Sequence, residues 1–364
     1  MNKLLSDYIS VIITTKNEED HIFKCIKSIV SQNLIENLSI EILIIDGMST
    51  DQTREIVKSF IRNDKRIRLL DNVKIHQSAG FNIGVRNARG SRIAWFGAHS
   101  EYPPNYLSSL YVSAVRSNSD YTGGVIETIP YDSSYSAAIV QALTTHRFGV
   151  GNSGFRTSAK EGSSDTASYG LFNKRIFTKI GYFDERLLRA QDFEFNARIR
   201  KCGGKVWLNP NLIVKYKNQP NLYKFLKKQI ISEAPYNAYM WYLSPYAFTY
   251  RHAITGVFTF GVLNGIILSP LFSFIKLMFL SVMAVYTVIS LISSFQQAIR
   301  YKQLKHILFL PFSFFLYHFL HGFGLLKGIV LLIIKKAPVQ KIKEPWKDYG
   351  CYRVIVKKIL DKKV

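Results

Sequence analysis

The chain has 364 residues, with 48 Lys and Arg against 25 Asp and Glu, for a formal net charge of +23 at pH 7. A hydrophobic fraction of 48% and a mean hydropathy of +0.04 supply enough apolar material for a core, which excludes a disordered polycation. Cys25, Cys202 and Cys351 lie too far apart for a CxxC zinc or thioredoxin motif or for a disulfide scaffold, so reduced thiols facing the cytosol are expected.

At roughly 150 residues per domain, the length implies about two domains. The N-terminus shows no basic-then-apolar leader, and a strand rather than a signal peptide is expected there. Residues 9–15 form a continuous β-branched run suited to a central strand buried on both faces. Asn17 then reads as an N-cap, with Glu18, Glu19 and Asp20 favourable to a helix dipole. Ile22, Ile26, Ile29 and Val30 share one helical face. Residues 40–45 read as a second strand ending at Asp46. Ser49 or Thr50 is expected to cap the next helix, whose apolar positions are Ile56, Val57, Phe60 and Ile61. Residues 66–70, 91–97 and 121–127 read as three further strands. This alternation predicts a largely parallel α/β sheet. Residues 149–168, rich in Gly and Ser, read as a mobile loop. Gly149, Gly151 and Gly154 match GxGxxG there, but without a preceding strand or a following helix, which argues against a dinucleotide site.

Ligands of open α/β sheets bind beyond the carboxyl ends of the strands. Three polar clusters, residues 14–18, 46–51 and 97–101, fall at such ends and are expected to meet in one cleft. Read singly, Asn17 and Ser49 could be caps, and Asp46 and Asp51 turn braces.

Beyond residue 248 the apolar density rises. Residues 253–272 and 277–295 approach the ~20 residues of a membrane helix. Residues 307–334 are longer and more mixed, with Pro311, His318, His321 and Lys327 inside. Basic residues flank these stretches: Lys224, Lys227, Lys228 and Arg251 before, Arg300, Lys302 and Lys305 between, and Lys335 and Lys336 after. That distribution points to anionic lipid and a positive-inside arrangement rather than to nucleic acid. Three full crossings from a cytosolic N-terminal domain would place the Lys-rich tail outside. The expectation is instead a cytosolic tail, with the third stretch a hairpin or interfacial, or with one of the first two not crossing.

These residues resemble a known family. Val11-Ile12-Ile13-Thr14-Thr15-Lys16-Asn17-Glu18 is similar to the opening strand of family 2 glycosyltransferases, usually VIIPTYNE. Ile45-Asp46-Gly47-Met48-Ser49-Thr50-Asp51 resembles their VDDGSTD. Ala190-Gln191-Asp192-Phe193-Glu194 with Arg198 resembles their ED-x-(D/E)-L-x-x-R segment. Residues 98–104, 181–186 (GYFDER) and 203–207, and the 318–328 stretch within the membrane region, are similar to the succinoglycan-type exopolysaccharide glycosyltransferases.

The resemblance implies a GT-A fold in residues 1–250, with a nucleotide-sugar half at 1–105 and an acceptor half at 106–250. Membrane or interfacial helices at 251–336 and a basic cytosolic tail at 337–364 would follow. It implies inverting transfer of a sugar from a nucleoside diphosphate, with UDP the expected carrier, to a hydroxyl of a lipid-linked saccharide. That reaction would serve exopolysaccharide, capsule or related surface-glycan synthesis at the inner (plasma) membrane, with the catalytic domain cytosolic. Carried over by position, Thr14, Thr15, Asn17, Glu18, Asp46 and Asn82 would line the donor nucleotide, with Ser78 and Arg86 near it. Asp192 would be the general base, with Gln191, Glu194 and Arg198 around it, and Asp184 would brace the preceding loop. The family's aspartate–any–aspartate metal motif reads Gly97-Ala98-His99 here, so Mg²⁺ or Mn²⁺ would rest on His99 with Glu101. No QxxRW motif of the processive synthases is present, which implies one sugar per encounter. Two other readings remain: a polyprenyl-phosphate glycosyltransferase, and a membrane scaffold that binds nucleotide through a degenerate site.

Overall fold

The computed structural model describes residues 7–151, 153–157 and 160–339. In chain order its elements are β1 (Asp7–Thr15), α1 (Ile22–Val30), β2 (Leu38–Asp46), α2 (Thr53–Asn63), β3 (Ile67–Asp71), α3 (Gln77–Asn87), β4 (Arg92–Gly97), α4 (Tyr106–Ser117), β5 (Tyr121–Ile129), α5 (Tyr135–Thr144), α6 (Arg147–Val150), α7 (Gly154–Thr157), β6 (Gly162–Ser163), β7 (Ser168–Asn173), α8 (Arg175–Ile180), α9 (Gln191–Lys201), β8 (Val206–Lys217), α10 (Leu222–Lys228), α11 (Ala234–Leu243), α12 (Tyr250–Leu268), α13 (Ser273–Tyr301) and α14 (Lys305–Ile333).

The described residues form two compact units. One takes 7–127 and 160–215, the other 128–157 and 216–339. Residues 128–157 and 216–249 are grouped with the long helices. The expected tail, apart from residues 337–339, lies outside the described residues.

The first unit is built on a mixed sheet in the order β3-β2-β1-β4-β7-β5-β8-β6. β1 pairs in parallel with β2 and β4, and β2 with β3. β7 runs antiparallel to β4 and to β5. The apolar run of β1 is central: Ile9, Val11, Ile12 and Ile13 are all fully buried, each such side chain contributing roughly 1.5–3 kcal/mol relative to exposure. On one side of the sheet the core joins Ile22, Ile26 and Ile29 of α1 to Leu107 and Leu110 of α4. The register sets Thr15 opposite Asp46 and Thr14 opposite Gly97, so the three polar clusters leave the sheet at one level.

Several local expectations are corrected. Asn17 does not cap α1, which starts at Ile22 behind His21; Asn17 adopts φ 53° in the turn after β1. Neither Ser49 nor Thr50 caps α2, whose N-cap is Gln52. The stretch expected to be a mobile loop carries α6, α7, β6 and the start of β7. Cys25 is free and buried, but Cys202 is disulfide-bonded, contrary to the expectation of reduced thiols throughout.

The second unit is helical. Ile139, Val140 and Leu143 of α5 pack with Phe225 and Leu226 of α10 and with Leu310, Phe314 and Tyr317 of α14. α12, α13 and α14 are each long and apolar enough to cross a membrane. Phe274, Leu277, Val285 and Ile292 of α13 are more than half exposed, an apolar surface suited to hydrocarbon rather than water. The third apolar stretch is one continuous helix through Pro311, not a hairpin. Gly322 lets α14 approach α12 closely: a Cβ there would stand 2.0 Å from the Thr255 carbonyl oxygen.

Candidate active site

The loops after β1 and β2 are tied together. The Asn17 N–H donates to Ser49 Oγ (2.9 Å), and Asn17 Oδ1 accepts from the Thr50 N–H (2.9 Å). The Glu18 N–H donates to Thr53 Oγ1 (2.8 Å), and the Gly47 N–H to the Thr15 carbonyl (2.7 Å). Asp46 is fully buried. It accepts from the Ser49 hydroxyl (2.6 Å) and N–H (3.0 Å), and pairs with Arg54 Nη1 at 2.7 Å. Arg54 also reaches Asp71 at the end of β3 (2.8 Å). The buried hydroxyl of Thr15 has no partner, so a hydrogen bond is open to a ligand at this edge. Thr14 packs its methyl toward Gly80 of α3.

At the end of β4, Glu18 Oε1 stands 3.5 Å from His99 Nδ1. Burial, then the charges of Glu18 and Glu101, push the neighbouring Cys25 thiol well above its usual range, which brings Glu101 to the same corner. Gly97 is tight. A Cβ there would lie 3.0 Å from Cε1 of Tyr169, whose hydroxyl accepts from Ser100 (3.1 Å). The antiparallel register of β7 brings Tyr169 to this strand end, so its ring stands where a side chain at position 97 would go.

The start of α9 lies at the same edge. Gln191 Nε2 donates to Gln77 Oε1 at the start of α3 (2.9 Å). The Gln191 Oε1 atom is buried without a partner. Asp192 occupies the first turn, where a carboxylate is favoured by the helix dipole. With burial, its charge pushes the Tyr121 phenol above its usual range. Tyr121 donates to the Ala167 carbonyl (3.2 Å), just before β7. One turn on, Asn196 donates to Thr166 (2.9 Å). Asp192 therefore lies on the β7 side of the edge to which β1, β2 and β4 deliver their polar ends.

Glu194, Arg198 and Asn82 are placed as braces. Glu194 and Arg198 form a fully buried two-pronged ion pair (3.0 and 2.6 Å). Arg198 also donates to the Ile180 and Tyr182 carbonyls (2.9 and 2.8 Å). Asn82, expected near the donor, spends its amide on Phe183 N–H and carbonyl (3.0 and 2.9 Å) and on Glu185 (3.0 Å). Asp184 binds the Arg186 N–H and guanidinium, which holds the loop before Asp192 as expected. Sequence reasoning missed Arg54, Gln77 and Tyr169. Arg54 could have been found three residues beyond the STD motif; nothing local marks Tyr169. A cavity of about 450 Å³ lies at the opposite edge of the sheet, lined by Asp7, Arg92, Asn173 and Lys174.

The glycosyl transferase family 2 model matches residues 10–181. A dolichyl N-acetyl-α-D-glucosaminyl phosphate 3-β-D-2,3-diacetamido-2,3-dideoxy-β-D-glucuronosyltransferase of Methanococcus voltae is 30% identical over 341 residues, covering 89% of this chain and 98% of that protein. The chain belongs to glycosyl transferase family 2. This glycosyltransferase is also 28% identical over 217 residues to the succinoglycan biosynthesis protein ExoA of Rhizobium meliloti, covering 59% of this chain and 64% of that one. Mannosyltransferase PcManGT of Pyrobaculum calidifontis, solved with GDP-Man and Mn²⁺, superimposes with a TM-score of 0.54 at 13% identity, covering 90% of this chain and 87% of that one. That likeness extends to the GT-A fold.

Whether a divalent ion fits is a question of donors. Among the described residues no three His, Cys, Asp or Glu side chains converge to hold a metal ion. Gly97 contributes none, and the Glu18–His99 pair with Glu101 nearby is short of a protein-only site. An ion here would need oxygens of the donor diphosphate to complete its shell.

Proposed function

We propose that this glycosyltransferase moves a sugar, with inversion, from a UDP-linked donor to a hydroxyl of a lipid-linked saccharide during synthesis of a surface glycan. The observation that carries this reading is the extent of the match to a transferase named for a dolichyl-linked substrate: it takes in 89% of the chain, so it extends into the region of the long apolar helices. Those helices would hold the enzyme at the plasma membrane with the first unit on the cytosolic side. Anchoring raises the effective concentration of an acceptor confined to the bilayer.

In this reading Thr14, Thr15, Asn17 and Glu18 face the nucleoside, and Asp46, through Ser49 and Arg54, sets the loop that holds it. Asp192 takes the proton of the acceptor hydroxyl as that oxygen bonds to the anomeric carbon and the bond to the diphosphate breaks. The diphosphate leaves toward His99 and Glu101, which with Glu18 would hold Mg²⁺ or Mn²⁺; such an ion, when bound, neutralises leaving-group charge. The test is a screen of nucleotide sugars on membranes containing the protein, with and without chelator. Polyprenyl phosphate and a polyprenyl diphosphate-sugar are offered in parallel as acceptors. Transfer to the diphosphate-sugar supports the reading; product on polyprenyl phosphate alone replaces it with lipid-phosphate charging.

A further inference from the structure

The second unit contains a cationic cluster for which sugar transfer at the sheet edge has no use. Arg156, on α7, has a buried Nη1 without a hydrogen-bond partner, and its guanidinium lies 5.1 Å over the Phe155 ring. A buried N–H of this kind is costly unless an acceptor arrives. Arg156 acts electrostatically on Tyr317 of α14. The Tyr317 ring is 5.9 Å from that of His321, which hydrogen-bonds Thr255 of α12 through Nδ1 (2.8 Å). His321 and Arg251 both act on His252. Arg251 Nε donates to His252 Nε2 (3.3 Å), and its Cβ would stand 3.4 Å from a Cβ at Gly151. Arg251, His252 and His321 thus stand together across α12 and α14, and Arg156 lies within electrostatic range of Tyr317, whose ring adjoins that of His321. Glu233, the carboxylate that acts on the same tyrosine, is ion-paired to Lys228 at 3.3 Å.

The cluster sits at a depth suited to a lipid headgroup. Arg251 and His252 occupy the first turn of the span-length α12, where the hydrocarbon ends if that helix crosses. Beside them Tyr250 is 85% exposed and Phe248 45%, as interfacial aromatic residues are. Arginine is the side chain best matched to a phosphate's paired oxygens.

We propose that Arg156 and Arg251, supported by His252 and His321, bind the phosphate or diphosphate of a polyprenyl-linked substrate. The isoprenoid would then lie against the exposed apolar surface of the long helices. This rests on the lipid-linked acceptor reading but is tested without turnover. The full-length protein in nanodiscs is titrated with geranylgeranyl diphosphate, inorganic pyrophosphate and geranylgeraniol, and separately with UDP. The expected result is saturable binding of geranylgeranyl diphosphate, weakened about tenfold or more in Arg156→Gln and in Arg251→Gln and largely kept in Arg156→Lys. Geranylgeraniol binds far more weakly, and UDP binding is unchanged in every variant, which also reports an intact fold. Geranylgeranyl diphosphate affinity equal in wild type and both Gln variants overturns the site, as does inorganic pyrophosphate competing with equal affinity, which marks a free-anion site. Failure of sugar transfer to every lipid-linked acceptor, with this binding intact, would count against the proposed reaction and not against the site.

Discussion

Tyr169 stands against Gly97, its Cε1 3.0 Å from where a Cβ at that position would be. The metal motif was expected to begin with a carboxylate at this place, and the Tyr169 ring occupies the space such a side chain would need. Gly97→Asp is expected to lower the thermal midpoint by several degrees, because Tyr169 and its hydrogen bond to Ser100 must yield. Gly97→Asp combined with Tyr169→Ala should recover part of that loss and raise Mn²⁺ dependence of turnover above that of wild type. Thermal melts and a Mn²⁺ titration check both.

The buried Glu194–Arg198 pair holds the segment that presents Asp192. Breaking such a pair from one side typically costs about 3–5 kcal/mol. Glu194→Gln and Arg198→Leu should therefore both destabilise the protein. Arg198→Leu is expected to be the worse, since it also strips the Ile180 and Tyr182 carbonyls of a donor. Denaturant or thermal unfolding of the purified variants measures the order.

His76 gives the first unit a stability that depends on pH. Its Nδ1 accepts from the Ala79 N–H (3.4 Å) at the start of α3, which requires the neutral ring. Burial pushes its pKa below the ordinary 6.5, with the nearby Lys74 acting the same way and Glu185 against it. The unfolded chain thus binds a proton here at a higher pH than the folded one. The contribution is present above pH 6.5 and is lost as pH falls through 6.5 toward the lower folded value. His76→Asn keeps a capping acceptor without the titration. Its loss of stability between about pH 7.5 and about pH 5.5 should be smaller than that of wild type.

Gly322→Leu should disrupt the contact of α14 with α12, since even a Cβ meets the Thr255 carbonyl oxygen at 2.0 Å. Gly261→Leu on α12, where a Cβ would meet nothing within 4 Å, should be tolerated. Yield and melting temperature in detergent distinguish the two.

The sequence made the parallel half of the sheet legible, because β1, β2 and β4 are apolar, β-branched runs whose ends carry the polar clusters. The caps were misread for a physical reason. Asn17 and Ser49 are good capping residues, but the Asn17 side chain crosses to the other strand-end loop to accept from the Thr50 N–H, while the Ser49 hydroxyl accepts from the Asn17 N–H and donates to Asp46. β7 escaped notice because its role is set by antiparallel register with β4, not by its own Ser-Tyr-Gly opening. The membership of α5 in the helical unit was equally hidden: its partners Leu310 and Phe314 lie some 170 residues downstream. The roles of Arg198 and Asn82 depend on the backbone carbonyls they meet, and that of Glu194 on its pairing with Arg198, which motif spacing does not reveal.

In the proposed reaction Asp192 is the group that receives the acceptor's proton. The most direct measurement compares wild type with Asp192→Asn for UDP binding and for sugar transfer to a lipid-linked saccharide under single-turnover conditions. If Asp192 is the base, UDP affinity is equal and transfer is slower by a factor of roughly 10²–10⁴. Transfer by Asp192→Asn at close to the wild-type rate would contradict that role.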